Sequence, residues 1–362
     1  MRMEREPVQF FVAELEPLLD EARTALARFV GAPVEGLVPV ANATHGINAV
    51  LRSLTFQRGD EILVTNQEYN ASRNAAEYAA GRAGAKVVVA PVPFPLESPE
   101  QVVAAILDKV TRRTRLAMVD HVTSQTGLVY PMARIAAELA KCGVELLVDG
   151  AHAPGMIPLN LRKLGATYYT GNCHKWICAP KGAAFLYVAP ERRAEIRPLS
   201  ISHGANSPRT DRARFLIEFG WTGTADFSAF LCIPKALETI GGLLPGGWRD
   251  VRAHNRALVL AGRRILCEAL KISAPAPEEM IGSLASVPIP EKPRGTKRKP
   301  PLFAFFDPLQ DALFRKHKIE VPIIHWPASP KRVLRISAQL YNSVPQYERL
   351  AQALVEELGK GE

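Results

Sequence analysis

The sequence predicts an α/β fold built on a mostly parallel β-sheet with helices on both faces. In the first two thirds of the chain, short apolar runs of strand length alternate with amphipathic segments of helical period. Polar residues of the types that serve in catalysis or ligand binding fall mainly at the ends of these runs or in the loops after them. Ligands of parallel sheets bind at that edge, so the pattern also indicates where a site should lie.

The alternation defines seven strands. A short apolar strand precedes residue 44, and six more are predicted at residues 61–65, 85–90, 116–121, 144–149, 168–170 and 184–188. Amphipathic helices are predicted at residues 10–29, 44–54, 69–82, 99–110 and 131–141. We therefore expect a seven-stranded sheet sandwiched between helices.

The pattern changes after about Pro245. An arginine-rich helix is predicted from Trp248 to Leu270, followed by strands at residues 286–289 and 333–337 and a last helix at residues 347–358. These elements indicate a small α+β domain. We expect a large domain at residues 1–245 and a small C-terminal domain at residues 246–362.

Composition and charge point to a globular protein without a nucleic-acid partner. Hydrophobic residues make up 47% of the 362 and charged residues 22%. The net charge is +9, but basic residues are mixed with acids along the chain. The basic run at residues 292–299 lacks interleaved aromatic residues, and we interpret it as a solvated loop or, alternatively, as a positive rim that attracts an anionic ligand.

No apolar run approaches the length of a membrane span, and the N-terminal residues carry no apolar signal-peptide core. We expect a cytoplasmic protein with no membrane partner. The five cysteines are odd in number and irregular in spacing, which argues against a disulfide framework. Cys173 and Cys178 flank His174, but the spacing matches no zinc pattern, and we expect no metal.

An acid and a lysine define the predicted chemistry. An apolar strand ends at Asp149, and a segment rich in small and hydrogen-bonding residues ends at Lys175. Pyridoxal 5′-phosphate (PLP) requires this pair, a lysine for the Schiff base and a carboxylate for the pyridinium nitrogen. A buried acid is costly unless paired, and a desolvated lysine loses its proton more easily. The alternative for Lys175 is a lysine that extends to solvent beside Trp176.

Other residues supply the remaining needs of PLP. Thr44 opens a helix within a run of small residues, which suits a phosphate, although a plain helix N-cap is the alternative. Tyr69 could stack on the ring or could be ordinary half-buried packing. His152 or Ser124 could donate a hydrogen bond to the ring O3′.

Together these segments resemble the class V aminotransferase family of fold-type I PLP enzymes. The similarity is greatest to the isopenicillin N epimerase-like group, which also includes C–S lyases. The matching segments span most of the chain: residues 42–48 (Asn-Ala-Thr-His-Gly-Ile-Asn), 121–127 (His-Val-Thr-Ser-Gln-Thr-Gly), 148–152 (Val-Asp-Gly-Ala-His), 174–175 (His-Lys), 180–182 (Pro-Lys-Gly), 221–226 (Trp-Thr-Gly-Thr-Ala-Asp), 335–337 (Arg-Ile-Ser) and 341–342 (Tyr-Asn).

The resemblance implies a role for each matching residue. Lys175 would hold PLP and Asp149 would pair with its ring nitrogen. Thr224 would reach the phosphate in the other subunit, which implies a homodimer. Arg335 would bind the substrate carboxylate, a role that suits its planar fork. The phosphate would be held by Thr44, Asn172, His174 and the backbone at Ala43 and His45.

Two departures from the family pattern affect the expected activity. Cysteine desulfurases of the family carry a reactive cysteine on a loop before the carboxylate-binding arginine, and residues 321–326 contain none. This departure argues against cysteine desulfurase activity. Relatives also begin with a longer segment whose Asn-His-Gly-like turn lines the substrate pocket. We expect either a misassigned start or a more open pocket.

The resemblance favours a C–S lyase or an epimerase that acts at the α-carbon of an amino acid or its derivative, through a Schiff base at Lys175. Epimerisation needs a second acid/base opposite Lys175, and His45, His203 and His325 are the visible candidates. A class V aminotransferase is one alternative. A catalytically impaired binding or scaffold protein is another.

Overall fold

The structure, a computed structural model, describes residues 2–290 and 307–359. The basic run at residues 292–299 lies outside the described residues. A seven-stranded sheet occupies the centre of the N-terminal part. Its strands are β1 (Leu37–Val40), β2 (Glu61–Thr65), β3 (Lys86–Ala90), β4 (Thr114–Asp120), β5 (Glu145–Asp149), β6 (Tyr168–Asn172) and β7 (Ala184–Val188).

The strand order in this sheet is β1-β7-β6-β5-β4-β2-β3. Only β7 is antiparallel to its neighbours, β1 and β6, and the other pairs are parallel. The predicted α/β fold with a mostly parallel seven-stranded sheet is therefore confirmed. Because the parallel strands share a direction, the loops that follow them open at a single edge of the sheet.

Helices cover both faces of the sheet, as the continuous apolar strands require. In β5, Leu147 packs into one hydrophobic cluster, while its neighbours Leu146 and Val148 pack into the other. The helices of this part are α1 (Arg2–Arg5), α2 (Pro7–Gln9), a π-helical turn at Phe10–Glu14, α3 (Leu15–Val30), α4 (Ala43–Ser53), α5 (Asn70–Ala83), α6 (Pro99–Leu107), α7 (Met132–Lys141), α8 (Leu161–Leu164), α9 (Arg214–Gly220), α10 (Ser228–Leu231) and α11 (Ile233–Gly241).

The C-terminal part contains a second, smaller sheet. Its order is β8-β10-β9, and both pairings are antiparallel. The sequence patterns predicted the two longer strands and missed both α13 and the three-residue β9. A boundary near residue 245 stays a prediction. The elements are α12 (Trp248–Leu270), β8 (Leu284–Ile289), α13 (Pro308–His317), β9 (Ile323–His325), β10 (Arg332–Ser337) and α14 (Val344–Gly359).

The small sheet contacts the active edge of the large one. Ser286 on β8 donates a hydrogen bond from Oγ to the carbonyl oxygen of Gln125, at 2.7 Å, in the loop after β4. Arg335 on β10 donates to Ser124 in the same loop. The C-terminal part therefore delivers one cationic side chain to the site. Among the described residues, no helix is both long and apolar enough to cross a membrane.

Candidate active site

The predicted site residues gather at one edge of the large sheet. Tyr69 follows β2, Ser124 follows β4, Asp149 ends β5, and Lys175 follows β6. Each lies at the carboxyl end of a parallel strand or in the loop after it. This is the edge at which sheets of this kind bind ligands.

Lys175 and His152 form the centre of the site. The Lys175 Nζ atom lies 2.9 Å from His152 Nε2. Burial, reinforced by the charges of Lys175 and Arg335, holds the pKa of His152 well below its usual range. The imidazole is therefore neutral, and we assign Nε2 as the acceptor of a hydrogen bond from Lys175. Its Nδ1 atom is buried and has no hydrogen-bond partner among the described residues.

The Lys175 amine is poised to lose its proton. The residue keeps solvent-accessible surface, yet desolvation of its amine by the surrounding protein lowers its pKa to about 8. Asp149 opposes this shift and Arg335 reinforces it. A lysine with this pKa has about a tenth of its amine in the neutral, nucleophilic form at pH 7, far more than an unperturbed lysine has.

The loop after β6 is fixed by backbone hydrogen bonds. The amides of Cys173 and His174 both donate to the carbonyl oxygen of Ala183, at 2.9 and 3.1 Å. The His174 ring Nδ1 lies 2.9 Å from the same oxygen. Cys178 adopts a left-handed backbone with φ of 61°. These contacts hold Lys175 at the end of its strand.

Asp149 is a buried acid with few donors. Its Oδ2 accepts a hydrogen bond from Ser72 Oγ at 2.8 Å, and its Oδ1 accepts one from the Ala151 amide at 3.0 Å. Burial nevertheless raises its pKa, against the opposing effects of Ser72, Ala151 and Lys175. A carboxyl in this state gains most from a nearby cation, because a positive partner would favour the ionised form.

The N-terminus of α4 is held by two asparagines. The Ala43 amide donates to Asn172 Oδ1 at 2.8 Å, and the His45 amide donates to Asn42 Oδ1 at 2.9 Å. Asn172 therefore fixes the helix from β6. A Cβ atom at Gly46 would lie 2.2 Å from Thr170 Oγ1, so only glycine permits this approach. The phosphate roles of Ala43, Thr44, His45, Asn172 and His174 stay predictions.

Arg335 is a cation without an acid partner. Its Nη1 donates to the backbone oxygen of Ser124 and, at 3.2 Å, to Ser124 Oγ. Its Nε is buried and unpaired, and no acid of the described residues forms an ion pair with it. Burial lowers its pKa. An uncompensated buried cation is costly, so the geometry favours an anionic ligand at this point.

The structure does not bring every predicted residue to Lys175. Thr224 lies on an exposed turn whose Gly223 has φ of 123°. His203 and Trp221 line a separate cavity of about 570 Å³ between the N-terminal helices and residues 203–221. Among the described residues, no hydrogen bond joins these groups to Lys175. Tyr69 is 46% exposed beside the site, so it is available to a flat ligand.

Three polar residues behind the site were missed by the sequence analysis. Ser72 donates to Asp149, and Glu68 and Asp120 lie with Asp149 in one buried acidic cluster. Asp120 had a signal in the sequence, because it ends an apolar strand in the same way as Asp149. Glu68 and Ser72 had none, since nothing in the linear pattern places residues 68–72 against β4 and β5.

The comparison with known families agrees with this geometry. A sequence profile described as "Aminotransferase class-V" matches residues 7–260. The chain belongs to the class V aminotransferase family. Within the family it falls in the isopenicillin N epimerase-like group, as the resemblance predicted.

Two curated relatives span nearly all of this class V chain. An isopenicillin N epimerase from Amycolatopsis lactamdurans is 35% identical over 98% of this chain and 89% of its own. A putative L-cysteine desulfhydrase 1 from Oryza sativa subsp. japonica is 30% identical over 96% of this chain and 76% of its own. The protein is thus a fold-type I PLP enzyme of the C–S lyase or epimerase type.

A solved structure supports the fold of this family. The apo structure of a cysteine desulfurase from Thermococcus onnurineus NA1 superposes with a TM-score of 0.76 and 22% sequence identity, covering 96% of this chain and 85% of that one. At this identity the likeness shows the shared fold alone, a mostly parallel sheet with a smaller C-terminal part.

The expectation that argued against cysteine desulfurase activity was wrong. It depended on the missing cysteine at residues 321–326. The finding that overturns it is that relatives 30% and 28% identical over nearly all of this chain are named L-cysteine desulfhydrases. The physical reason is that cleavage of a C–S bond depends on substrate binding and proton removal. Elimination can proceed in this way without a loop thiol, which is needed only where the sulfur is taken up as a persulfide.

The residues present fit PLP, the cofactor of this family. Lys175 offers an amine of lowered pKa, and Asp149 offers a buried carboxyl that a ring-nitrogen cation would stabilise. His152 Nδ1 is a buried polar atom without a partner. The predicted holders of the cofactor are Ala43, Thr44, His45, Tyr69, Ser124, Asp149, His152, Asn172, His174, Lys175 and, from the other subunit, Thr224.

We expect covalent capture of PLP to follow the protonation of Lys175. Only the neutral amine attacks the aldehyde, so the capture rate should fall about ten-fold for each pH unit below about 8. Stopped-flow absorbance of the cofactor-free protein mixed with PLP measures this rate, and Lys175→Ala is the control that should show no covalent capture. Equal rates at pH 6 and pH 8 would contradict the assignment.

Proposed function

We propose that this protein cleaves the C–S bond of cysteine or a cysteine derivative by PLP-dependent β-elimination. The observation that carries the proposal is the hydrogen-bonded pair of Lys175 and His152, a single basic centre at the sheet edge. Elimination needs one base to remove the α-proton and a leaving group on the β-carbon. Epimerisation needs a second acid/base on the opposite face.

The three histidines that could serve as the second acid/base have other surroundings. His325 Nε2 lies 3.3 Å from Asp307 Oδ2, and His203 lines the separate cavity. His45 is exposed at the start of α4. Within residues 2–290 and 307–359, none of them is hydrogen-bonded to Lys175, His152 or Arg335. No contact within the described residues marks any of the three as a second acid/base.

Each step assigned to the protein uses a group described above. Arg335 binds the substrate carboxylate through its free guanidinium edge and so orients the α-hydrogen. Lys175 removes that proton, and neutral His152 accepts a hydrogen bond from its amine and holds it in place. When bound, PLP supplies the electron sink for the α-carbanion. With cysteine as substrate, the products are pyruvate, ammonia and sulfide.

Epimerisation at the α-carbon is the second candidate. The observation that favours it is the identity of 32–35% to isopenicillin N epimerases, which exceeds the 30% to the desulfhydrase relative. Because both reactions begin with proton removal by one base, the early steps assigned to Lys175 and Arg335 serve either outcome.

We also propose that the protein works as a homodimer in which Thr224 contributes to the site of the other subunit. Thr224 is exposed on the turn at residues 221–226 and has no contact with Lys175 in its own chain. An exposed hydroxyl on a turn that glycine stabilises suits contact with a neighbouring subunit.

Product analysis tests the proposed reaction. We expect the PLP-loaded protein to release pyruvate and sulfide in equal amounts from L-cysteine, and Lys175→Ala to release neither. Coupled assays for the two products and chiral chromatography of the remaining substrate make the measurement. Racemised substrate without pyruvate would establish epimerisation and contradict elimination.

Substitution of Arg335 tests substrate binding. Arg335→Ala should raise KM about ten-fold to a hundred-fold, because hydrogen bonds to a charged group contribute about 1.5–3 kcal/mol. The KM of Arg335→Lys should lie between those of the wild type and Arg335→Ala, since lysine keeps the charge and loses the planar fork. Steady-state kinetics measure KM, with exposed Lys331→Ala as the matched control. A KM unchanged by Arg335→Ala would move the carboxylate site elsewhere.

Mixing two inactive variants tests the dimer. Lys175→Ala and Thr224→Ala should each be impaired. A mixed dimer contains one site with wild-type Lys175 and wild-type Thr224, so activity should return towards a quarter of the wild-type value in an equal mixture. Activity assays after co-refolding, with size-exclusion chromatography, make the measurement. A monomeric elution or no regain of activity would contradict the proposal.

A further inference from the structure

Three adjacent strands of the sheet each bring one acid to the cofactor edge. Asp120 and Asp149 are direct partners in the parallel register of β4 and β5. Glu68 lies in the loop after β2, which pairs with β4 on its other side. A carboxylate oxygen of each lies within 4.8 Å of one from each of the others.

Glu68 and Asp120 are buried and poorly supplied with hydrogen-bond donors. Their exposed fractions are 6% and 2%. All four of their carboxylate oxygens lack a hydrogen-bond partner among the described residues. Asp149 differs, because Ser72 and the Ala151 amide donate to it. Two adjacent buried carboxylates that both carried a full charge would pay a large desolvation cost and would also repel each other.

We propose that Glu68 and Asp120 share one buried proton and form a singly charged carboxyl pair behind Asp149. One carboxyl then donates an O–H hydrogen bond to the other, which gives some of the four unpaired carboxyl oxygens a partner. This is the arrangement found where two like-charged carboxyls share one low-dielectric site. No residue outside the pair has to supply a donor.

The surrounding groups are consistent with a retained proton. Burial raises the pKa of Glu68 and of Asp120 well above the usual carboxyl range, and the charge of Asp149 reinforces both shifts. Arg73 on α5 opposes the shift at Glu68. At Asp120 a hydrogen bond from Glu68 opposes it, as do the charge of Lys175 and the Tyr69 amide. The pair also acts on two other titratable groups: it raises the pKa of the buried Tyr130 hydroxyl, and the charge of Asp120 raises that of Lys175.

The pair acts as a positioning element for Asp149, an inference that rests on the PLP chemistry proposed above. Its single negative charge makes Asp149 a stronger acceptor for a protonated ring nitrogen. It also repels a second negative charge at the sheet edge. The pair touches neither substrate nor the reacting atoms, so Glu68 and Asp120 are positioning residues.

Single amide substitutions test the shared proton. Glu68→Gln and Asp120→Asn each keep one hydrogen bond and one negative charge, so each mimics the singly protonated pair. Only the wild type can lose the shared proton as pH rises. Because the folded pKa is raised above the unfolded value, the wild type loses stability between about pH 4 and the folded pKa. The single variants should lose less over the same interval.

The measurement is the Tm of the full-length protein from about pH 5 to pH 9, with and without saturating PLP. The decrease in wild-type Tm should exceed that of either single variant by about 2–4 °C. Glu97→Gln, at an exposed carboxyl, is the matched control and should follow the wild type. Because two single variants are measured, the test remains valid if one of them fails to fold. The double variant, which lacks the charge, should bind PLP several-fold more weakly than either single variant.

Two results would overturn the proposal. Equal pH dependence in wild type and both single variants would mean that no proton is shared. A Tm that falls with a chelator in the wild type, and in neither variant, would mean that a cation neutralises the acids instead. Both Tm measurements can be made on the cofactor-free protein, so their outcome does not depend on the proposed reaction. A failure of that reaction would show only in the product analysis.

Discussion

Desolvation of charged groups at one edge of the sheet is the constraint on which the site depends. Parallel strands end together, so their polar residues meet where helices and the second sheet exclude water. Asp149 and Lys175 are both perturbed, in opposite directions, and burial is the largest cause at each. The fold therefore produces the chemistry by placing ionisable groups where the charged form of each is disfavoured.

The unpaired groups indicate what the site is built to receive. Arg335 lacks an anion, Asp149 favours a cation, and His152 Nδ1 lacks a partner. A phosphate-bearing pyridine ring and an amino-acid carboxylate satisfy these needs together. An unsatisfied buried polar group destabilises the fold by about 1–3 kcal/mol, a cost that a bound ligand would offset at these three groups. Cofactor binding should consequently stabilise the folded protein as well as equip it for chemistry.

Much of the fold followed from the sequence, and the site followed in part. The strands ending at Asp149 and Thr65 are buried on both faces, so their continuous apolar runs were unambiguous. Lys175 and Asp149 were found because PLP chemistry specifies residue types. Glu68 and Ser72 were not, since their positions depend on how the loop after β2 folds over two neighbouring strands. The short strand β9 was not predicted, because three residues are too few to show a periodic pattern.

The correction on desulfurase-type activity shows where a motif argument fails. A missing cysteine in one loop says nothing about proton removal, the role proposed for Lys175 beside His152. The groups that break a C–S bond and those that carry the released sulfur are separable in space, and selection can change one set alone. Both proposed reactions share the early steps assigned to Lys175 and Arg335. The outcome therefore depends on whether a second proton donor reaches the opposite face of the substrate before the β-substituent leaves.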